Sequence, residues 1–405
     1  MNEMAGIFFI TTITIIIFFA GKKYPEINKL IWIAFLVRLF FLFLQHFFPL
    51  PDSGLDAKTF ELMAYNFSQS NYEYSILSYK PSLSDYGTYR FYPWLLSNLY
   101  LITGRSYILA QSVSLFFGLF SLFLLWKSAL YLWGSLSAKR ILLIATVFPI
   151  HILYSVLPMR ETFIYFGLIL VVYFLIRSQQ NSKILNHFMI YFGLFFASAF
   201  HGAILIMVAP ILLFQIYILI KKFFNKISIF KFTSLLVIIS SVLLVLIYPK
   251  VKNFEIPYIG SLEQVDFEYF HYKLKDRYGS DADSQFPEYL IPNTPSEAVL
   301  LSPVQIGYFL YSPFIWDITK LRHLFGYFDS LIYIAISIMI LASFKEIYTN
   351  KTAFMILVLV ISLIVLYAYG TVTFGSGIRH RAKLFYLMLI LAGPMISKFS
   401  VKKFK

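Results

Sequence analysis

The sequence predicts an all-α polytopic membrane protein with about eleven transmembrane helices and two long outer loops, 50–105 and 249–323. Three observations predict it. Of 405 residues, 59% are hydrophobic and only 13% charged, about half the charge of a typical soluble domain. Apolar runs of membrane-spanning length recur along the chain. The charges between those runs sort by side.

The runs lie at 4–20, 31–49, 106–126, 141–158, 162–176, 186–200, 203–220, 233–248, 324–344, 352–369 and 384–397. With the loop at 21–30 placed inside, the inner segments hold 18 Lys or Arg and two acids, Glu26 and Glu346. The outer segments hold 15 Lys or Arg and 18 acids. This is a positive-inside bias, and a single missed helix would scramble it. The first run is read as a helix rather than a signal peptide. "MNEM" carries an acid and no n-region cation, and no A-x-A site follows. No repeat or low-complexity linker divides the chain, so 1–405 reads as one integral helical domain.

Composition also excludes. Without cysteine there is no disulfide, thiolate nucleophile or Cys-ligated zinc. The seven His show no HExxH spacing. The net charge of +14 is a topology signal that matches anionic lipid headgroups. No basic domain or recognition motif points to nucleic acid.

Unusual polar groups gather on the expected outer face. "SVLPMRETFIYFG" sets Arg160 and Glu161 in a short turn beside Pro158. Glu161 suits the first turn of a helix, where the macrodipole favours an acid. Arg160 does not, and needs a carboxylate such as Asp56 or a phosphate. "FPLPDSGLDAKTFELMAYNFS" holds Asp52 and Asp56. Ser53 and Asp56 have capping-box spacing, before a helix with Phe60, Met63, Ala64 and Phe67 on one face. His201 lies at a tight turn, where a hydrogen-bonded structural histidine is the commoner case. "FGSGIRHRAKLFY" carries Arg379, His380, Arg381 and Lys383. If extended, Arg379 and Arg381 share a side; if helical, Arg379 and Lys383 do. Headgroup contact is the plain alternative there. Arg38, inside the second span, is expected to find a structural partner in the bundle. "DADS", with Asp281 and Asp283, superficially matches a D-x-D motif in a polar loop.

Four stretches, in this order, resemble the GT-C superfamily of membrane glycosyltransferases and, in general plan, the O-antigen and exopolysaccharide polymerases. They are "DSGLDAKTFELMA", "RFYPWLLSNLYLITG", "SVLPMRETFIY" and "GSGIRHRAKLFYLMLIL". The resemblance implies a bacterial cytoplasmic membrane protein with its active face periplasmic or extracellular. It implies a sugar donor on a polyisoprenyl phosphate or pyrophosphate and a glycan or lipid-linked acceptor. The superfamily's first-loop general base matches Asp56 best and Asp52 second. The superfamily often has adjacent acids or D-x-D there; the separation of four here weakens the case for a metal, so no cofactor is indicated, and a divalent metal stays open. Transfer needs a carboxylate for the acceptor proton and cations for the leaving phosphate. Those roles fall to Asp56 and to Arg160, Arg379 and Arg381, with Lys383 beside them. His201 and Glu161 are candidate orienters. Tyr92 and Trp94 are candidate sugar-stacking or interfacial aromatics. Tyr258, Tyr269, Tyr272 and Tyr278 are candidate acceptor-covering groups. A repeat-unit polymerase is the nearest alternative. A lipid-linked glycan transporter or flippase is the next, although transporters place polar groups near the midplane, where this sequence has little beyond Arg38.

Overall fold

The computed structural model describes residues 3–69, 85–223, 255–256, 260–261, 267–278 and 284–398. Among the described residues the regular structure is helical, apart from a two-residue antiparallel pairing of Glu255–Ile256 with Gly260–Ser261 and a single bridge between Gln285 and Thr373. In lipid every backbone N–H and C=O must be satisfied within the protein, and a helix does this locally. The helices in the first half are α1 (Met4–Lys23), α2 (Asn28–Leu44), α3 (Lys58–Gln69), α4 (Asp85–Thr103), α5 (Tyr107–Val147), α6 (Pro149–Tyr154), α7 (Glu161–Gln180) and α8 (Ile184–Phe200). Then follow α9 (Val208–Phe223), α10 (Phe267–Tyr278), α11 (Pro295–Tyr311), α12 (Leu321–Ala342), α13 (Phe344–Thr349), α14 (Lys351–Gly370), α15 (Phe374–Ala382), α16 (Phe385–Leu391) and α17 (Gly393–Lys398).

Among the described residues six helical stretches are long and apolar enough to cross a membrane: Met4–Lys23, Pro25–Leu44, Tyr107–Val147, Glu161–Gln180, His323–Ala342 and Lys351–Gly370. The chain is therefore an α-helical membrane protein. The other expected spans differ for physical reasons. Run 106–126 and the start of run 141–158 are joined in α5, whose helical geometry breaks only at Gly134 (φ 82°, ψ 177°), a backbone state that glycine adopts without strain; the rest of the second run forms α6 and the turn before α7. The run at 186–200 is a shorter apolar helix, and 203–220 starts as a 3₁₀ turn, Gly202–Met207, before α9. The run at 233–248 lies outside the described residues. The run at 384–397 is two short buried helices, α16 and α17. The expected loop 50–105 contains α3 and α4, and 249–323 contains α10 and α11.

Where the sequence shows no internal division, the contacts form two compact units. The first comprises Met1–Gly202, Ala335–Ala353 and Ala382–Lys405; the second comprises Ala203–Ile334 and Phe354–Arg381. In the first unit α7 is central: 83% of its most apolar window is buried, against 22% for α1 at the rim. Helices α7 and α8 approach closely because Gly167 and Gly193 face each other. A Cβ on Gly167 would lie 2.8 Å from the Gly193 carbonyl oxygen. Small residues at such crossings are how helices pack where lipid removes the hydrophobic drive. The α16–α17 break is stabilised by α5. Trp133 Nε1 donates to the Ile390 carbonyl (2.7 Å), Ser137 Oγ to Gly393 (2.9 Å) and Arg140 Nη1 to Ile396 (2.8 Å). Arg38 is fully buried, and its Nη1 donates to the carbonyls of Ala34 and Thr146, both at 3.2 Å. Its bundle partner is thus a carbonyl of α5.

The second unit packs Phe286, Leu290, Tyr308 and Phe374 into one cluster. Two strand-like backbone bonds, Phe286 N–H to Val372 O and Phe374 N–H to Ser284 O, hold the entry to α15.

Candidate functional site

The first-loop acids sit on a tight turn. Asp52 adopts φ 62°, a left-handed state that Asp tolerates better than most residues. Residues Ser53–Ala57 then form a π-helical turn carrying Asp56. Ser53 Oγ donates back to the Leu50 carbonyl (2.5 Å). Asp52 and Asp56 are both half-buried, and Tyr154 donates its hydroxyl to Asp52 Oδ2 (3.4 Å). Helix α3 has the expected amphipathic face, with Phe60 and Ala64 buried and Met63 and Phe67 half-buried. Phe60 packs on Tyr89 and Tyr92 of α4.

The Arg160–Glu161 turn lies against the same wall. The Arg160 guanidinium carbon is 5.9 Å from the Phe60 ring centroid and 5.6 Å from that of Tyr89, within cation–π range. Its Nη1 donates to the Phe200 carbonyl (3.2 Å) at the end of α8. Its Nε is buried and has no hydrogen-bond partner among the described residues. Nor does Arg160 form an ion pair among them. Glu161 opens α7, is buried, and leaves Oε2 without a hydrogen-bond partner among the described residues. An adjacent cation and anion, each with an unused polar atom inside the protein, are available to a third group.

His201 follows Phe200, and its backbone N–H closes α8 on the carbonyls of Ala197 and Ser198. The structure therefore brings His201, Arg160 and the α3–α4 aromatics to one region of the first unit. Tyr92 is buried against Phe60 and Phe163. That packing makes it a core residue and corrects the sugar-stacking role expected for it. Trp94 is half-buried beside Phe91.

Arg379 and Arg381 belong to the second unit and Lys383 to the first. Helix α15 runs through Ala382, so Arg379 and Arg381 do not share a face. Arg381 is fully buried. Its Nε donates to Asp329 Oδ2 (2.8 Å), and its Nη2 lies 2.6 Å from that oxygen. Its Nη1 donates to the carbonyls of Leu310 (3.1 Å) and Ser312 (2.5 Å), and its Nη2 to Gly326 O and Ser330 Oγ. Both edges of the guanidinium are engaged by protein, so Arg381 ties the second unit together instead of facing a phosphate. Lys383 is buried. Tyr258, Asp281 and Asp283 lie outside the described residues. Among the described residues no three His, Asp or Glu side chains gather as a metal site.

A network that no sequence motif marks lies on α3, the helix that follows the first-loop acids. Arg105 forks onto Glu61, Nε to Oε1 (2.8 Å) and Nη2 to Oε2 (2.7 Å). The Tyr100 hydroxyl donates to Glu61 Oε1 (3.1 Å). Burial, and then the Glu61 charge, push the Tyr100 phenol well above its usual value, so it stays a neutral donor. The signal was an acid, Glu61, between Phe60 and Ala64 on the apolar side of α3. Glu61→Ala leaves Arg105 without its carboxylate and is expected to destabilise the first unit by about 2–3 kcal/mol, less than a fully buried pair would. A thermal melt of the purified protein checks this, and an unchanged midpoint would remove the network from the account.

No family model, curated protein or solved structure matches this chain.

Proposed function

We propose that this protein is a membrane glycosyltransferase of GT-C-like plan, with about eleven spans. It uses a sugar donor on a polyisoprenyl phosphate or pyrophosphate at the outer face of a bacterial cytoplasmic membrane, in cell-surface polysaccharide assembly. The observation that carries the reading is Arg160: a half-buried guanidinium beside two aromatic rings, with no ion pair among the described residues and a buried Nε without a partner. The Phe200 carbonyl fixes Nη1, which leaves the Nε–Nη2 edge. That edge matches two oxygens of a phosphate.

The reaction follows from the residue types. Asp56 takes the acceptor hydroxyl proton as the acceptor oxygen bonds to the anomeric carbon. The bond from that carbon to the donor phosphate oxygen breaks, and its electron pair leaves with the phosphate. Arg160 stabilises the charge growing there. Glu161, held at the α7 N-terminus, accepts a hydrogen bond from a sugar hydroxyl. Asp52 is the second choice of base. His201 remains a candidate substrate contact.

Deletion of the gene and mass analysis of the surface glycan test the class of reaction. A glycan lacking one residue is expected; accumulation of single-repeat glycan would instead assign repeat-unit polymerisation. In the same assay Arg160→Lys is expected to lower glycan output about 100-fold, because an ammonium replaces a two-pronged donor in the transition state. Full output from that variant would reduce Arg160 to a packing or simple Coulombic role.

A further inference from the structure

Helices α1, α2 and α5 leave an open crevice of about 300 Å³ between them. Ile13, Ile17 and Tyr24 of the α1 side, Ile31 of α2, and Phe120 and Phe123 of α5 are among its walls, and no charged side chain lines it. From Ile13 to Tyr24 it follows α1 for about 16 Å at the helical rise, about half a bilayer's hydrocarbon thickness. The crevice thus has the depth of one leaflet.

Its Tyr24 end is cationic. Lys127 Nζ lies 4.2 Å from the Tyr24 ring centroid, 4.5 Å from that of Trp126 and 5.8 Å from that of Phe123. Lys23 Nζ lies 5.7 Å from the Tyr24 ring. Lys127 also feels Lys23 and Arg177 as like charges, and Glu26 as the opposing one. Three cations against one exposed acid leave a positive surplus where the apolar slot opens. Aromatic rings and lysines together at such a level are the mark of a headgroup boundary.

We infer that this crevice holds one acyl chain of an anionic diacyl phospholipid from the leaflet on the lysine-rich side, with its phosphate between Lys23 and Lys127. The apolar walls take the chain, and the cation pair selects the headgroup charge. The transfer reaction does not enter this inference, and the site shares no residue with Arg160 or Asp56.

The test is native mass spectrometry of the full-length protein released from micelles containing equal phosphatidylglycerol and phosphatidylcholine. The wild type is expected to retain phosphatidylglycerol about 30-fold over phosphatidylcholine, as two cations near a membrane surface would give. Lys23→Gln/Lys127→Gln is expected to bring the two lipids to parity. Lys345→Gln/Lys351→Gln, on other helices, is expected to leave the preference intact. Parity in the wild type overturns the inference, as does a preference that survives loss of Lys23 and Lys127. A circular-dichroism melt checks that the variants fold. If polyisoprenyl phosphate binding depends on Lys23 and Lys127 and not on Arg160, the crevice belongs to that chain, and the phospholipid assignment is also overturned.

Discussion

Asp56→Asn is expected to lower glycan transfer by about two to four orders of magnitude, the usual contribution of a positioned general base. The substitution keeps the side chain's size and its place on the Ser53–Ala57 turn. Membrane insertion and thermal stability are therefore expected to stay near wild type. Asp52→Asn separates the two first-loop acids. Asp52 holds the left-handed corner before that turn and accepts a hydrogen bond from Tyr154. Its amide is expected to cost less than tenfold, since a positioning role survives loss of charge better than proton abstraction does. Wild-type output from Asp56→Asn would end its assignment as base. A larger loss from Asp52→Asn would transfer the role to Asp52.

Arg381→Leu is expected to give the largest stability loss in the chain. It strands Asp329 inside the second unit and frees the carbonyls of Leu310, Ser312 and Gly326. Breaking one side of a buried ion pair costs about 3–5 kcal/mol. Arg381→Lys is expected to recover only part, because one ammonium cannot reach positions served by three guanidinium nitrogens. The paired change Arg381→Leu/Asp329→Leu is expected to be milder than Arg381→Leu alone, since no isolated charge remains. Thermal melts of the purified variants rank them. Equal midpoints for Arg381→Leu and wild type would contradict the structural role given to this arginine.

Much of the fold was legible because lipid imposes one rule on the backbone. Apolar runs of sufficient length at 4–20, 31–49, 162–176, 324–344 and 352–369 each became a long helix. The rule says less about where a helix breaks. The last run divides into α16 and α17 because Trp133, Ser137 and Arg140, more than 250 residues away, take its carbonyls. No local pattern near 390 carries that information. At the candidate site the amphipathic face of α3 was legible from its 3.6 periodicity. The left-handed backbone at Asp52 and the Ser53 hydroxyl turned back to the Leu50 carbonyl were not legible from the S-x-x-D spacing. Arg381 illustrates a third limit. A cation in an expected interfacial tract reads as a phosphate or headgroup contact until its acid is found. That acid, Asp329, lies 52 residues earlier. An acid within an apolar run, as in "GYFDSLIYIAISIMI", was itself a sign of a buried partner.

The proposed transfer requires that the free edge of Arg160 receive a lipid phosphate. The direct measurement is equilibrium binding of a polyisoprenyl phosphate to the purified protein and to Arg160→Ala and Asp56→Asn variants in the same detergent. Loss of the two-pronged contact is expected to weaken binding by Arg160→Ala about 30- to 100-fold, as for a charge-assisted bidentate pair. Asp56→Asn is expected to bind as the wild type does, because a proton acceptor acts after the donor is seated. Unchanged affinity in a folded Arg160→Ala variant would contradict the assignment of this arginine, and with it the reading of the turn as a transfer site.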